Sequence, residues 1–194
     1  MNVNSNITDI YQFSPINSTT PYFLDTNVLY WYTNPRVSAT KLTKQAQVYY
    51  NFVDHLTSAG NPLITSVYNL TELLNVIEKN EFVLYKDIHP DQNYLTRKDF
   101  RRMSNERQKL QKIMQTTLNN VKSICRIVNF PFEQSKITDF IDSLTNHRCD
   151  IFDYMILDNC VKEQTLNVVS DDSDFSTYEN IKLFTANTSV IPST

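Results

Sequence analysis

Residues Tyr22-Phe23-Leu24-Asp25-Thr26-Asn27-Val28-Leu29-Tyr30-Trp31-Tyr32 decide the reading of this chain. Tyr22, Phe23 and Leu24 form a short apolar run of the kind that becomes a buried strand. Asp25 follows at once, and a second apolar run begins at Val28. In open parallel sheets the carboxyl ends of strands face the crevice where ligands bind. An acid at such an end is placed for chemistry, and equally for capping the helix that follows.

The flanking sequence supplies the rest of an α/β domain. Leu63, Ile64 and Thr65 read as a second strand, Ile127 to Asn129 as a third, Leu166 to Val169 as a fourth and Ile181 to Phe184 as a fifth. Helical periodicity separates them. It is predicted near 41–59 (Leu42, Ala46, Tyr49, Phe52, Val53 and Leu56 on one stripe), near 67–80, as one long segment over 97–125, near 133–145 and near 150–164. Residues 81–96 read as irregular around Pro90. Strands alternating with helices predict a three-layer α/β/α domain with a twisted, mainly parallel sheet of four to five strands. Residues 1–20 read as a polar extension, partly ordered by Ile10, Tyr11 and Phe13. Residues 21–194 form one domain, with a helical protrusion inserted at about 81–125.

Composition removes several classes of function. The chain has 194 residues, 41% of them hydrophobic, and carries 18 basic against 21 acidic side chains for a net charge of −3. That balance argues against indiscriminate nucleic-acid binding and leaves room for a local basic patch. The single glycine, Gly60, cannot build a phosphate-cradling loop, so ATP, GTP and dinucleotide chemistry is disfavoured. Cys125, Cys149 and Cys160 are odd in number and lack paired spacing, and His55, His89 and His147 are scattered. Reduced structural thiols are expected, and a zinc site is not. With no leader-like start and no long apolar run, the expectation is a cytoplasmic protein without a membrane span.

Four acids occupy comparable places: Asp25 after the first strand, Glu72 on the helix after the second, Asp153 at the start of a late helix, and Asp172 after the strand ending at Val169. Each has an ordinary structural role open to it, as a cap, a solvated helix residue, a first-turn acid or a turn residue. Brought together, they would repel one another and raise one another's pKa, unless a cation sat among them. Oxygen-only ligands suit Mg²⁺ or Mn²⁺. A haloacid-dehalogenase-like phosphatase also begins with an Asp after a strand, but wants a second acid two residues on, where this chain has Asn27.

Taken together, four segments resemble the PIN-domain ribonucleases, and among them the VapC-type toxins of toxin–antitoxin modules. They are Leu24-Asp25-Thr26-Asn27-Val28-Leu29, Ile64-Thr65-Ser66 through Glu72-Leu73, Asp153-Tyr154-Met155-Ile156, and Val168-Val169-Ser170-Asp171-Asp172-Ser173-Asp174-Phe175. The resemblance implies a metal-dependent endoribonuclease, the toxin of a type II system. It implies Mg²⁺ or Mn²⁺ held by Asp25, Glu72, Asp153 and Asp172, with Asp150 a rival for the third place. It further implies Ser170 as an accessory hydroxyl, Asn27 orienting Asp25, an RNA substrate, a small antitoxin partner and a homodimer. The alternative is a PIN-like module that binds RNA or protein without activity. The chain departs from the pattern at Asp158, Asn159 and Gln164, where the family favours small residues and a glycine. In Arg97–Lys112, seven cations (Arg97, Lys98, Arg101, Arg102, Arg107, Lys109 and Lys112) stand against Asp99 and Glu106, the expected seat for an RNA backbone. Tyr94 and Phe100 are candidates to stack on bases.

Overall fold

The structure is a computed structural model that describes residues 6–14, 19–38, 43–131 and 133–192. Along the chain lie β1 (Asn6–Asp9), β2 (Tyr22–Leu24), α1 (Thr26–Thr33), α2 (Pro35–Ser38), α3 (Lys44–Ser58), β3 (Leu63–Ser66) and α4 (Val67–Ile88). These are followed by α5 (Arg97–Phe100), α6 (Ser104–Ile124), β4 (Cys125–Val128), α7 (Gln134–Ser143), α8 (Ile151–Lys162), β5 (Asn167–Val169) and β6 (Lys182–Thr185). The six strands form one all-parallel sheet in the order β1-β6-β5-β2-β3-β4. From β2 the chain steps outward to β3 and β4, then crosses back to place β5 on the other side of β2. The order therefore reverses between β2 and β5, and that gap is the switch point at which α/β sheets bind ligands.

Alternation along the strands fills both faces. Tyr22 and Leu24 of β2 enter a core with Val28, Leu29, Tyr49, Phe52, Leu73 and Val121. Phe23 points the other way, to Val168, Leu183, Met155, Ile156 and Cys160. Phe23 and Leu24 are wholly buried, and burial of such side chains contributes about 1.5–3 kcal/mol each. The layers are thus α/β/α. The aromatic residues of α3 serve this core: Tyr49 and Phe52 are buried, and Tyr50 rests against Tyr32 with ring centroids 4.8 Å apart. Leu42, expected on the same stripe, lies outside the described residues. Cys125, Cys149 and Cys160 are buried free thiols. No helix among the described residues is long and apolar enough to cross a membrane.

Three expectations change. The sheet has six strands where four to five were expected, because Asn6–Asp9 pairs with β6 from Asn6↔Lys182 to Asp9↔Thr185. An edge strand needs little apolar pattern. Here Ile10 enters the core beside it, and Phe13 packs on Phe184 at 5.0 Å. Second, α4 does not stop near residue 80 but runs to Ile88. No breaker precedes Pro90, which restricts His89, and Phe82 and Tyr85 of the added turns each sit 5.5 Å from Phe100. Third, the 97–125 segment is two helices. Thr96 and Asp99 form a capping box around α5, and the chain turns at Arg101–Met103 before α6.

Two helix ends explain the glycine usage. Gly60 follows α3 at φ 75°, the left-handed position where glycine closes a helix at no steric cost. Gln164 does the same work after α8 at φ 55°, with Thr165 N–H donating to Cys160 O at 2.8 Å. This is the position at which a glycine was expected from the resemblance. A side chain here is mildly strained. Gln164→Gly should therefore raise unfolding stability by up to about 1 kcal/mol, the relief of strain being partly offset by the freer unfolded chain. Denaturant titration with an unchanged m-value measures it, and a loss of stability would contradict the strain.

Candidate functional site

Asp25 sits at the switch point because β2 ends there. Its backbone N–H still belongs to the sheet, donating to Val169 O at 3.1 Å, while its side chain caps α1 through Thr26 N–H at 2.7 Å. The cap is only part of its role. Asn69 Nδ2 donates to the same oxygen at 3.2 Å. Asn27 Nδ2 at 2.8 Å and Ser170 Oγ at 2.7 Å donate to the other. The Ser170 bond crosses from the end of β5 to the end of β2 and closes the switch point.

The remaining acids gather around this one. A cavity of about 830 Å³ is lined by Asp25, Glu72, Asp150, Asp153 and Asp172, with no Lys, Arg or His among the described residues of its wall. Thr26 Oγ1 donates to Glu72 Oε2 at 2.6 Å, which ties α1 to α4. Asp172 Oδ1 accepts from Asp174 N–H at 2.8 Å, and Asp172 N–H donates to Ser170 Oγ at 3.0 Å. Asp150 is the N-cap of α8; its Oδ1 accepts from Phe152 N–H at 2.8 Å and Asp153 N–H at 2.9 Å. The carboxylate of Asp153, one turn in, receives no hydrogen bond or ion pair from any described residue. Of the two rivals, Asp153 is the one with both oxygens open. Asp171 turns away from the cavity to accept from Gln45 at 2.6 Å and Tyr49 at 2.9 Å.

The electrostatics follow from burial and crowding. Burial pushes the Asp25 carboxyl up to about 7, against the hydrogen bonds of Ser170 and Thr26, with Glu72 and Asp172 adding to the rise. Burial likewise pushes Asp153 up to about 8, and Asp25, Asp150, Asp172 and Glu72 all act in that direction. Both carboxylates are thus short of positive charge. As the side chains stand, no three His, Cys, Asp or Glu among the described residues are set to share one metal ion. Mg²⁺ takes one or two direct carboxylates and keeps several waters. The donor set, all oxygen with an open carboxylate at Asp153, fits such an ion and does not fit zinc.

Several residues that hold this geometry are not apparent from the motif spacings. Asn69 is wholly buried and also bonds Thr26 Oγ1 at 3.2 Å and Ser66. Tyr49 reaches from α3 to the loop after β5; its hydroxyl accepts from Ala186 N–H at 2.8 Å and lies 2.9 Å from both Thr185 Oγ1 and Asp171. The only sequence signal for Asn69 is the Ser66-x-x-Asn69 spacing of a helix start.

The basic segment has a different environment from the one charge counting suggests. Arg97, Arg101 and Arg107 converge on a single buried carboxylate, Glu78 of α4, at 2.7, 2.6 and 3.5 Å. Arg102 pairs with Asp99 and Lys109 with Glu106. Lys98 and Lys112 have no ion pair within the described residues. Phe100 is buried in the core and Tyr94 is 78% exposed.

No protein-family model matches the chain, and no curated protein matches its sequence. A solved structure does: VapBC2 from Rickettsia felis bound to a DNA fragment from their promoter. The two are 17% identical with a TM-score of 0.50 over 85% of this chain and 98% of that one. The likeness is one of fold, and the chain has the PIN-like α/β/α arrangement expected from its motifs.

The Glu78 cluster yields a stability test. Hydrogen bonds from Arg101, with Arg97 assisting, hold the Glu78 carboxyl below its usual range. Its contribution is therefore complete above the unfolded carboxyl pKa of about 4.3 and is lost as pH falls through the lower folded value. Glu78→Gln should cost about 1–2 kcal/mol at neutral pH, the arginines being half-exposed. That difference should vanish in acid. A pH-independent difference in chemical denaturation would show that packing, not charge, is at work.

Proposed function

We propose that the chain is a metal-dependent endoribonuclease of PIN type, and that the cavity at the β2–β5 switch point is its active site. The observation that carries this is the five-carboxylate cavity without a compensating cation, centred on the buried Asp25. Asp25, Glu72, Asp153 and Asp172 are the proposed holders of Mg²⁺ or Mn²⁺. A bound ion of this kind supplies Lewis acidity toward a phosphoryl oxygen and acidifies water. Thr26 and Asp174 N–H each occupy one oxygen of Glu72 and Asp172 and leave the other for the cavity. Asn27 and Ser170 fix the plane of the Asp25 carboxylate. These second contacts orient the groups that bear the charge.

The RNA strand enters beside this centre in the proposal. Arg97, Lys98, Arg101, Arg102, Arg107, Lys109 and Lys112 form the proposed basic flank, with Lys98 and Lys112 the two whose charge no ion pair among the described residues claims. Likeness of fold to VapBC2 and the motif resemblance together support a wider reading. In it the chain is the toxin of a type II module, partnered by a small antitoxin and able to form a homodimer.

Purified chain should cleave RNA in Mn²⁺ or Mg²⁺ and stop in chelator. Asp25→Asn and Asp153→Asn should abolish cleavage, and Ser170→Ala should lower it about 10- to 100-fold. Asp150→Asn keeps the helix cap and should keep the activity. Equal cleavage by wild type and Asp25→Asn would sink the reading, and a calorimetric titration showing no Mn²⁺ binding would favour an inactive binding module instead. Removing Lys98 or Lys112 should reduce the slope of log affinity against log salt by roughly 0.7 each for single-stranded RNA.

A further inference from the structure

The cavity has an apolar wall that its chemistry does not require. Phe152 is 53% exposed although it stands between two acids, and Val67, which lines the same cavity, is 43% exposed. The buried face of α8 is complete without Phe152, being formed by Tyr154, Met155, Ile156, Leu157 and Cys160. Nor is the ring loose. The Asp150 cap fixes the backbone N–H of Phe152, and the ring rests on Tyr68, with centroids 6.3 Å apart and planes at 49°. Tyr68 is anchored in turn, since its hydroxyl donates to Phe130 O at 3.2 Å.

The position of this pair is tied to the acids by local geometry. Phe152 immediately precedes Asp153. Tyr68 lies one helical turn before Glu72, and residues at i and i+4 share a helix face. The two rings and the two carboxylates therefore come from the same turns of α8 and α4 and border the same cavity. Among the described residues, the cavity wall holds no Lys, Arg or His to attract a nucleic acid by charge. A chain that works on a polyanion at such a wall needs another source of affinity next to the reacting phosphate. An exposed, anchored aromatic face supplies one, because every base has a π-face.

We propose that Phe152, backed by Tyr68, is the platform on which an unpaired base next to the cut stacks. This rests on the reading of the cavity as a ribonuclease site. A base inside a duplex already has both faces covered and has no face to offer, whereas loops and single strands present theirs. Stacking of this kind contributes about 1–3 kcal/mol per base, or roughly 5- to 150-fold in affinity. Because it releases no counterions, its contribution is independent of salt.

The test uses the full chain and one short RNA carrying 2-aminopurine, offered as a single strand and as a blunt duplex, with cleavage and 2-aminopurine fluorescence both followed. The wild type should prefer the single strand and change the fluorescence of the bound base. Phe152→Ala and Phe152→Leu should both raise KM for the single strand about tenfold or more, equally at about 50 and about 200 mM salt, and Phe152→Trp should restore it. Leucine keeps the apolar surface and removes the aromatic face, so wild-type behaviour of Phe152→Leu would overturn the proposal. So would equal cleavage of duplex and single strand. A chain that cleaves RNA but ignores the Phe152 changes loses the platform alone. A chain that binds the oligonucleotide through Phe152 and never cleaves it loses the nuclease reading and keeps the platform. One that does neither loses both.

Discussion

The arrangement of this molecule turns on one buried carboxylate at a break in strand order. Asp25 is 5% exposed and accepts from four donors carried by α1, α4 and the loop after β5. Burying an ion is costly, and a site that does so must surround it with donors. Those donors are what join the parts. Thr26 N–H and Asn27 start α1, Asn69 lies in the first turn of α4, and Ser170 follows β5. Each satisfies the acid and, in doing so, fixes the end of the element that bears it. The sheet order makes this possible, since at the β2–β5 gap, where the strand order reverses, two strand ends lie side by side.

The chain's charges are segregated, and the segregation is structural. Five acids face one cavity without a cation in its wall, while three arginines crowd one glutamate on another face of α4. Glu78 and Glu72 lie on the same helix only six positions apart, yet their circumstances are opposite. Glu78 is buried under guanidinium groups that hold its carboxyl below the usual range. Glu72 receives a single neutral hydroxyl. The negative field of the cavity is therefore left uncompensated by any cation among the described residues of its wall.

What the amino-acid order displayed was local. The strand-then-acid pattern at Leu24-Asp25 and Val169-Ser170, the Ser66-to-Glu72 spacing and the Asp153 helix start are all contained within single elements, so a reading along the chain finds them. The partners that orient these acids are not. The Thr26–Glu72 bond joins residues 46 positions apart and the Tyr49–Asp171 bond residues 122 apart, and no spacing announces either. The same limit explains the basic segment. A count of charges over 97–112 is a correct count, but Glu78, which claims three of them, lies outside it on another helix. Local cues misled where they were weak. Residues 81–88 lack a helix-stop signal and simply continue α4, and the polar Asn6–Asp9 becomes a strand because the neighbouring Ile10 and Phe13 supply its anchor.

Gln164 shows how resemblance and geometry separate. The motif comparison marks that position as unusual for lacking glycine, while the backbone adopts φ 55° there regardless. The reason is that α8 must end where β5 begins. Thr165 N–H closes onto Cys160 O, and Cys160 is wholly buried against the sheet. The turn is dictated by the packing of α8, and the residue in it is only more or less suited to the turn. The same reasoning applies to the cavity. The ends of β2, β5 and α8 are set by the core, so Asp25, Ser170, Asp172 and Asp153 meet because the layers pack, at the places where the core requires those elements to stop.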